Sequence, residues 1–233
     1  MIEQELDDAL AGAKPCVTLL TQVLVDLDDP AFANPTKFIG PVYTREQADQ
    51  LAAARGWVVK QDGEYWRRVV PSPQPKEILD IKVVRLLLDN GVVTICGGGG
   101  GIPVTYAQAG DLVGVEAVID KDRVGAMLAE QVNADLYLIL TDAAAVYEGY
   151  GTPEQRAMRY SHPDALGDMT FAAGSMGPKV EAACQFARNT GKPAVIASLA
   201  DAAAAVRGDA GTTVSNAFEG ITYYEPAAAR QGR

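Results

Sequence analysis

The feature that most constrains the fold is an apolar strand that runs directly into five consecutive glycines. Residues 92–96 read Val-Val-Thr-Ile-Cys, and residues 97–101 are all glycine. Because glycine has no Cβ atom, this backbone can adopt positive φ angles and turn its N–H groups toward a bound anion. Ligands of open α/β sheets bind at the carboxyl ends of strands. The pattern therefore favours an anion-binding loop over a flexible turn. It is not a Walker A loop, because no Gly-Lys-Ser/Thr follows the glycines.

Composition and charge exclude several classes of protein. The chain has 233 residues, 48% of them hydrophobic, which suits one core with a small appendage. A formal charge of −10 without a Lys/Arg cluster argues against nucleic-acid binding. We expect no membrane partner and a cytoplasmic location, because the sequence has neither a long apolar run nor a signal-peptide pattern. With one histidine and three cysteines that lack metal-ligand spacing, we expect no protein-held metal site.

Helix-like and strand-like segments alternate along most of the chain. Non-alternating apolar strands separated by helices are typical of a mostly parallel sheet that is covered on both faces. We therefore predict an α/β fold, a three-layer αβα sandwich. The predicted strands are 17–25, 92–96, 135–140 and 194–198. The predicted helices are 77–90, 121–133 and 177–189.

A segment at about 28–75 interrupts this alternation. It begins with a proline-rich stretch, continues with a capping-box pattern at Thr44 and Gln47, and contains a hairpin signal at Asp62-Gly63. Three prolines between 71 and 75 return the chain to the main body. We predict a small protruding subdomain that acts as a lid on a domain formed by residues 1–215. Residues 216–233 are predicted to be a disordered tail.

Two further clusters carry charge that suits phosphoryl transfer. Lys121 lies between Asp120 and Asp122 at a predicted helix start, and phosphoryl transfer is catalysed mainly by positioning and charge stabilisation. Taken alone, an acid-Lys-acid run is more often solvated surface. Lys179 lies in the first turn of the helix opened by Gly177-Pro178, where the helix dipole disfavours a cation. That placement suggests a bound anion.

Five segments, in this order along the chain, together resemble the carbamate kinases of the amino-acid kinase family. They are residues 34–41, 98–104, 116–122, 140–142 and 174–179. The resemblance covers about residues 1–215. It implies a reversible phosphoryl transfer between ADP or ATP and carbamate or carbamoyl phosphate, with Mg²⁺ carried by the nucleotide. It also implies a homodimer.

The resemblance assigns roles to individual residues of this sequence. Lys121 and Lys179 would neutralise the transferring phosphoryl group, Asp122 would orient these lysines, and Lys37 would reach in from the lid. The residues that would hold the carbamate or carbamoyl end are Gly98, Gly99, Gly100 and Gly101. The residues on the nucleotide side would be Thr141, Asp142, Tyr147, Pro153 and Met176.

The sequence departs from the family at its start. Family members begin with a strand that ends in Gly-Gly-Asn-Ala, whereas residues 1–4 here match an internal helix of the family. On this ground we expect little phosphoryl transfer from the chain as written. Two alternatives therefore stand beside an active carbamate kinase. One is an inactive remnant that binds nucleotide or a partner subunit. The other is a different amino-acid kinase, which the 28–75 segment disfavours.

Overall fold

The computed structural model describes residues 1–171 and 175–225. The chain divides into two compact units, Met1–Val124 and Gly125–Arg233, and each is described by itself. Among the described residues, no helix combines the length and apolar character needed to cross a membrane.

The first unit alternates short strands with helices. Its helices are α1 (Ile2–Leu10), α2 (Pro30–Ala33), α3 (Arg45–Arg55), α4 (Ile81–Asp89) and the start of α5 (Lys121–Gln131). Its strands are β1 (Cys16–Thr18), β2 (Gln22–Val25), β3 (Lys37–Tyr43), β4 (Val58–Asp62), β5 (Tyr65–Val70), β6 (Pro75–Ile78), β7 (Val93–Ile95), β8 (Ile102–Tyr106) and β9 (Leu112–Gly114).

The glycine-rich loop connects two sheets of this unit. Strands β1 and β7 pair in parallel, and β6, β2, β8 and β9 form a four-stranded sheet in that order. Within this sheet β2 and β8 are parallel. The buried side chains of Val23, Ile78 and Val104 belong to three adjacent strands of the four-stranded sheet.

Two sequence predictions are wrong in this unit. The single strand expected at 17–25 is divided into β1 and β2, because residues 19–21 leave one sheet and enter another; the Leu19 N–H still bonds to Ile95 of β7. The helix expected at 77–90 begins only at Ile81. Residues 77 and 78, the first two of the predicted helix, instead belong to β6, which pairs with β2.

A third, separate sheet occupies the segment predicted to protrude. Strands β3, β5 and β4 are all antiparallel, and α3 begins at the expected capping box of Thr44 and Gln47. Asp29 closes the base of the segment, because its carboxylate accepts the backbone N–H groups of Ala31 at 2.8 Å and Gln74 at 2.9 Å. These hydrogen bonds lower the pKa of Asp29. The function of the segment as a lid stays a prediction.

The second unit contains one sheet with helices on its connections. Its strands are β10 (Tyr137–Thr141), β11 (Tyr147–Glu148), β12 (Arg156–Ser161), β13 (Ala194–Ser198), β14 (Thr212–Val214) and β15 (Ile221–Tyr223). Its helices are α6 (Pro163–Gly167), α7 (Met176–Thr190), α8 (Ala202–Val206) and a 3₁₀ turn at Leu199–Asp201, together with the end of α5.

Packing in this unit centres on the face of the sheet that α7 covers. Phe186 of α7, Ile196 of β13 and Met158 of β12 are fully buried in one cluster. The α/β class is confirmed, with one difference: β10–β13 and β12–β14 are parallel, but β13–β14 and β11–β12 are antiparallel, so the pairing is mixed rather than mostly parallel.

The expected disordered tail also differs in its first part. Ile221–Tyr223 forms β15, which pairs with β12, so this part of the tail is a strand. The pairing arises because the chain after β14 turns back and reaches the edge of β12. Residues 226–233, the rest of the predicted tail, lie outside the described residues.

Candidate active site

An ion pair joins the small sheet to the start of α5. The Nζ atom of Lys37, the first residue of β3, lies 2.8 Å from Oδ2 of Asp120. The other carboxylate oxygen of Asp120, Oδ1, accepts the backbone N–H of Asp122 at 2.9 Å. The side chain of Asp120 is 9% exposed and that of Lys37 is 38% exposed. The carboxylate is therefore buried beneath a cation that a ligand can still reach.

Electrostatics keep the Asp120 carboxylate charged. Burial acts to raise its pKa, but the hydrogen bonds from Lys37 and from the Asp122 backbone act in the other direction, together with the charges of Lys37 and Lys121. The net effect lowers the pKa of Asp120. Asp120 is thus an ionised group that organises cations around it.

Lys121 and Asp122 form a second contact at the beginning of α5. The Lys121 Nζ atom lies 3.6 Å from Oδ2 of Asp122. The side chain of Asp122 is 8% exposed, whereas that of Lys121 is 58% exposed. Lys121 therefore presents an ammonium group to the surroundings beside a buried carboxylate, an arrangement that suits contact with an anion.

The glycine loop is folded by its own hydrogen bonds. The Gly97 N–H donates to Oγ1 of Thr21 at 2.8 Å. The N–H groups of Gly100 and Gly101 both donate to the Gly97 carbonyl, at 2.7 Å and 2.5 Å. Within residues 1–171 and 175–225, no acceptor meets the N–H groups of Gly98 and Gly99. Only two of the four glycines predicted to hold substrate therefore keep unused backbone donors.

Glycine is required at two positions of the loop by close packing. A Cβ atom on Gly100 would lie 2.1 Å from the carbonyl oxygen of Ile119. One on Gly101 would lie 2.4 Å from a methyl carbon of Val23. Both residues also have positive φ angles. The loop consequently lies directly against the backbone that leads into Asp120.

An open cleft of about 410 Å³ adjoins this loop. Gly98, Gly99 and Gly101 line it, whereas Gly100 packs behind it against Ile119. The cleft lies at the carboxyl ends of the parallel strands β1 and β7, since Thr18 and Ile95 also line it. This is the position that the sequence pattern predicts for a ligand.

The second unit contains a cavity of about 460 Å³. Its walls come from the end of β10, the region of β11 and the start of α7. The lining residues are Thr141, Asp142, Ala143, Tyr147, Gly149, Tyr150, Thr152, Thr170, Phe171, Ser175, Met176 and Lys179. Four of the residues predicted on the nucleotide side are thus brought together, and Lys179 with them. Pro153 is not among the lining residues, although its neighbour Thr152 is.

Some residues in these two places escape sequence reasoning. Asp120 was visible in the acid-Lys-acid run, but nothing in the sequence indicated its contact with Lys37, 83 positions away. Tyr150 lines the cavity of the second unit, is 76% exposed, and has its ring centroid 5.8 Å from that of Tyr147. An aromatic residue three positions after Tyr147 was the available signal. Phe171 had none.

The predicted residues fall into both units. Lys37, Lys121, Asp122 and the glycines belong to Met1–Val124, whereas Lys179 and the nucleotide-side residues belong to the other unit. The predicted orientation of Lys179 by Asp122 stays a prediction. Gly174, part of the motif that precedes Lys179, lies outside the described residues.

Comparisons with known proteins identify the family of this chain. The model of the amino acid kinase family matches residues 35–198. A carbamate kinase of Haemophilus influenzae is 53% identical over 224 residues, which cover 96% of this chain and 72% of that protein. A carbamate kinase of Escherichia coli K12 is 54% identical over 215 residues, 92% of this chain and 71% of that one.

Solved structures give the same result for the fold. A carbamate kinase from Giardia lamblia bound to AMP-PNP matches with a TM-score of 0.83 and 41% identity, over 91% of this chain and 70% of that one. The same enzyme bound to citric acid matches with a TM-score of 0.81 and 42% identity, over 91% and 70% of the two chains. This chain belongs to the carbamate kinases of the amino acid kinase family.

Proposed function

We propose that this protein transfers a phosphoryl group reversibly between carbamoyl phosphate and ADP, forming carbamate and ATP. The observation that carries the proposal is the close packing of Gly100 on Ile119. It fixes a loop with unused backbone N–H donors next to the segment that carries Asp120 and Lys121. Backbone donors beside a cation are the groups that a small phosphorylated anion requires.

The first unit supplies the groups for the carbamoyl side. Gly98 and Gly99 line the cleft, and their N–H groups would donate to the anion. The exposed ammonium of Lys121, beside the buried carboxylate of Asp122, would neutralise charge on the transferring phosphoryl group. Lys37 would add a second cation. Phosphoryl transfer requires this charge stabilisation more than any covalent chemistry from the protein.

The cavity of the second unit would hold the nucleotide. Its volume of about 460 Å³ is in the range of small-molecule sites. Tyr147, Tyr150 and Phe171 offer aromatic surface for a base, and Lys179 offers charge for phosphates. The Giardia lamblia relative, 41% identical, was solved with AMP-PNP bound, which supports a nucleotide as the ligand.

Magnesium would arrive with the nucleotide. In the described part of the chain, no group of three or more His, Cys, Asp or Glu residues is arranged to hold a metal ion. Mg²⁺ usually keeps several of its waters and binds through substrate phosphates with one or two carboxylates. Asp142 is the carboxylate in the cavity lining. The bound ion would withdraw charge from the phosphate oxygens.

Of the two alternatives carried from the sequence, a different amino-acid kinase has less support. The inactive remnant, with the little phosphoryl transfer expected from the start of the sequence, is the outcome that an assay of ATP formation distinguishes from this proposal. The relatives from Haemophilus influenzae and Escherichia coli K12, 53% and 54% identical to this chain over the aligned residues, are carbamate kinases rather than kinases of amino acids or nucleoside monophosphates. The homodimer and the cytoplasmic location stay predictions, and sedimentation velocity of the purified protein tests the first.

A panel of phosphoryl acceptors tests the proposed substrate. ADP release from Mg-ATP is measured with carbamate, N-acetylglutamate, aspartate and UMP, each in turn. We expect release with carbamate and none above background with the other three. Release with an amino acid or with UMP, but not with carbamate, would overturn the assignment.

A further inference from the structure

We propose that Asp120 is the positioning residue for Lys37: it holds the ammonium of Lys37 beside the start of α5, where the substrate anion meets it. The inference rests on the proposed function for the identity of that anion. Its structural part, the coupling of Asp120 to Lys37, stands without it.

The two carboxylate oxygens of Asp120 have separate tasks. Oδ1 accepts the Asp122 backbone N–H at 2.9 Å, as an N-cap residue does, while the Asp120 carbonyl accepts the Val124 N–H at 3.1 Å. Oδ2 has no part in this cap and meets Lys37 at 2.8 Å. A residue that only capped the helix would have no need of the second contact. The two contacts together indicate that Asp120 caps the helix with Oδ1 and holds the ammonium of Lys37 with Oδ2.

Lys37 needs such an anchor because lysine is flexible. Its ammonium group ends a chain of four methylene groups, and ordering it costs side-chain entropy. An ammonium has three N–H donors, of which the contact with Asp120 uses one. Because the Lys37 side chain is 38% exposed, the remaining donors are open to a ligand. Asp120 therefore fixes the position of the Lys37 ammonium and leaves N–H donors available for a ligand.

The surrounding contacts place this pair where it can act. Two other interactions attach the segment before α5 to the small sheet and its continuation. Arg68 of β5 forms an ion pair with Glu116, and the Val118 N–H donates to the Pro71 carbonyl at 3.0 Å. Glu116 is 77% exposed, so its pair with Arg68 is screened by solvent. The pair of Lys37 with the nearly buried Asp120 is the contact of this set that should fix a side chain.

The variant Asp120→Asn separates capping from positioning. Asparagine caps a helix as well as aspartate does, so the bond to Asp122 survives, but the negative charge that holds Lys37 is lost. Lys37→Met removes the cation, and the two variants are also combined. The control is Asp49→Asn, which removes an exposed ion pair with Arg45 at 2.7 Å within α3 of the same segment and leaves Asp120 untouched.

Kinetics with carbamoyl phosphate and ADP give the first readout. We expect Asp120→Asn and Lys37→Met each to raise KM for carbamoyl phosphate by about tenfold or more, since small displacements of a binding group cost this much. KM for ADP should change little, and the double variant should be no worse than Lys37→Met alone. A wild-type KM in Asp120→Asn, or effects that multiply in the double variant, would overturn the proposal, because Asp120 would then not act through Lys37.

Hydrogen exchange without ligand gives a readout that does not depend on activity. Amides of 37–43 should exchange faster in Asp120→Asn and in Lys37→Met, by the same factor, and at the wild-type rate in Asp49→Asn. Unchanged exchange in Asp120→Asn would contradict the coupling even if the variant were inactive. If the wild-type protein forms no ATP from carbamoyl phosphate, the proposed function fails, while this exchange experiment still decides whether Asp120 holds Lys37.

Discussion

Gly100 lies so close to Ile119 that a Cβ atom on it would be 2.1 Å from the Ile119 carbonyl oxygen. This contact ties the glycine loop to the residues that lead into Asp120 and Lys121. The loop and the charged segment are 20 positions apart in sequence, yet the packing leaves no space between their backbones. A ligand held by one is therefore within reach of the other.

The variant Gly100→Ala should destabilise the protein strongly. The added methyl group would collide with backbone that cannot rotate away, and the residue has a φ of 132°. We expect a loss of about 3 kcal/mol or more in the free energy of unfolding. Gly99→Ala is the matched control, because nothing lies within 4 Å of its Cβ position and its φ is not positive. Urea unfolding measures both, and equal losses would show that the close contact is not as described.

The variant Lys121→Ala should reduce turnover with little effect on folding. Its side chain is 58% exposed and meets Asp122 only at 3.6 Å, so it contributes little to stability. Removing a charge that stabilises the transferring phosphoryl group should lower kcat by about 100-fold or more. Lys82→Ala, an exposed lysine in the first turn of α4, is the control. A near-normal kcat in Lys121→Ala would show that the cluster of Asp120, Lys121 and Asp122 is solvated surface without a catalytic role.

The variant Tyr150→Ala should weaken nucleotide binding selectively. Tyr150 lines the cavity of the second unit and is 76% exposed, so truncation should cost little stability. Loss of an aromatic surface for the base should raise the Kd for ADP by about tenfold, as the loss of a stacking partner does. Calorimetry measures the Kd, with Tyr106→Ala, a tyrosine of the first unit that is 56% exposed, as control. An unchanged Kd for ADP in Tyr150→Ala would remove Tyr150 from the site.

Stability should depend on pH through Asp120. Its pKa is lower in the folded protein than in the unfolded chain, so its contribution is complete above the unfolded value and disappears as pH falls through the folded one. Asp120→Asn should therefore be less stable than wild type by a constant amount between neutral pH and about pH 5, and the difference should shrink below about pH 4. Urea unfolding at each pH measures it. A difference that grows on acidification would contradict the depressed pKa.

Local chemistry explains which parts of the fold the sequence predicts. The capping box at Thr44, the hairpin at Asp62-Gly63 and the strand at Ala194–Ser198 all depend on neighbouring residues, and all are confirmed. The helix expected at 77–90 fails at its beginning, because pairing with β2 draws Pro75–Ile78 into a sheet. No local pattern reports a partner strand that lies 50 positions away.

The candidate site shows the same limit. The glycine run and the acid-Lys-acid run were visible as patterns, because the chemistry depends on residue type. The sequence does not predict which glycine packs against the backbone and which keeps a free N–H donor. That division depends on the position of Ile119 against Gly100. The contact between Lys37 and Asp120 was hidden for the same reason: the small sheet, rather than the sequence around either residue, brings them together.

Formation of ATP from ADP and carbamoyl phosphate tests the central claim most directly. The purified protein is incubated with Mg²⁺, ADP and carbamoyl phosphate, and ATP is measured by luciferase, with Lys121→Ala in parallel. We predict ATP formation that requires carbamoyl phosphate and falls by about 100-fold or more in Lys121→Ala. Absence of ATP with the wild-type protein, or equal ATP formation by wild type and Lys121→Ala, would contradict the account.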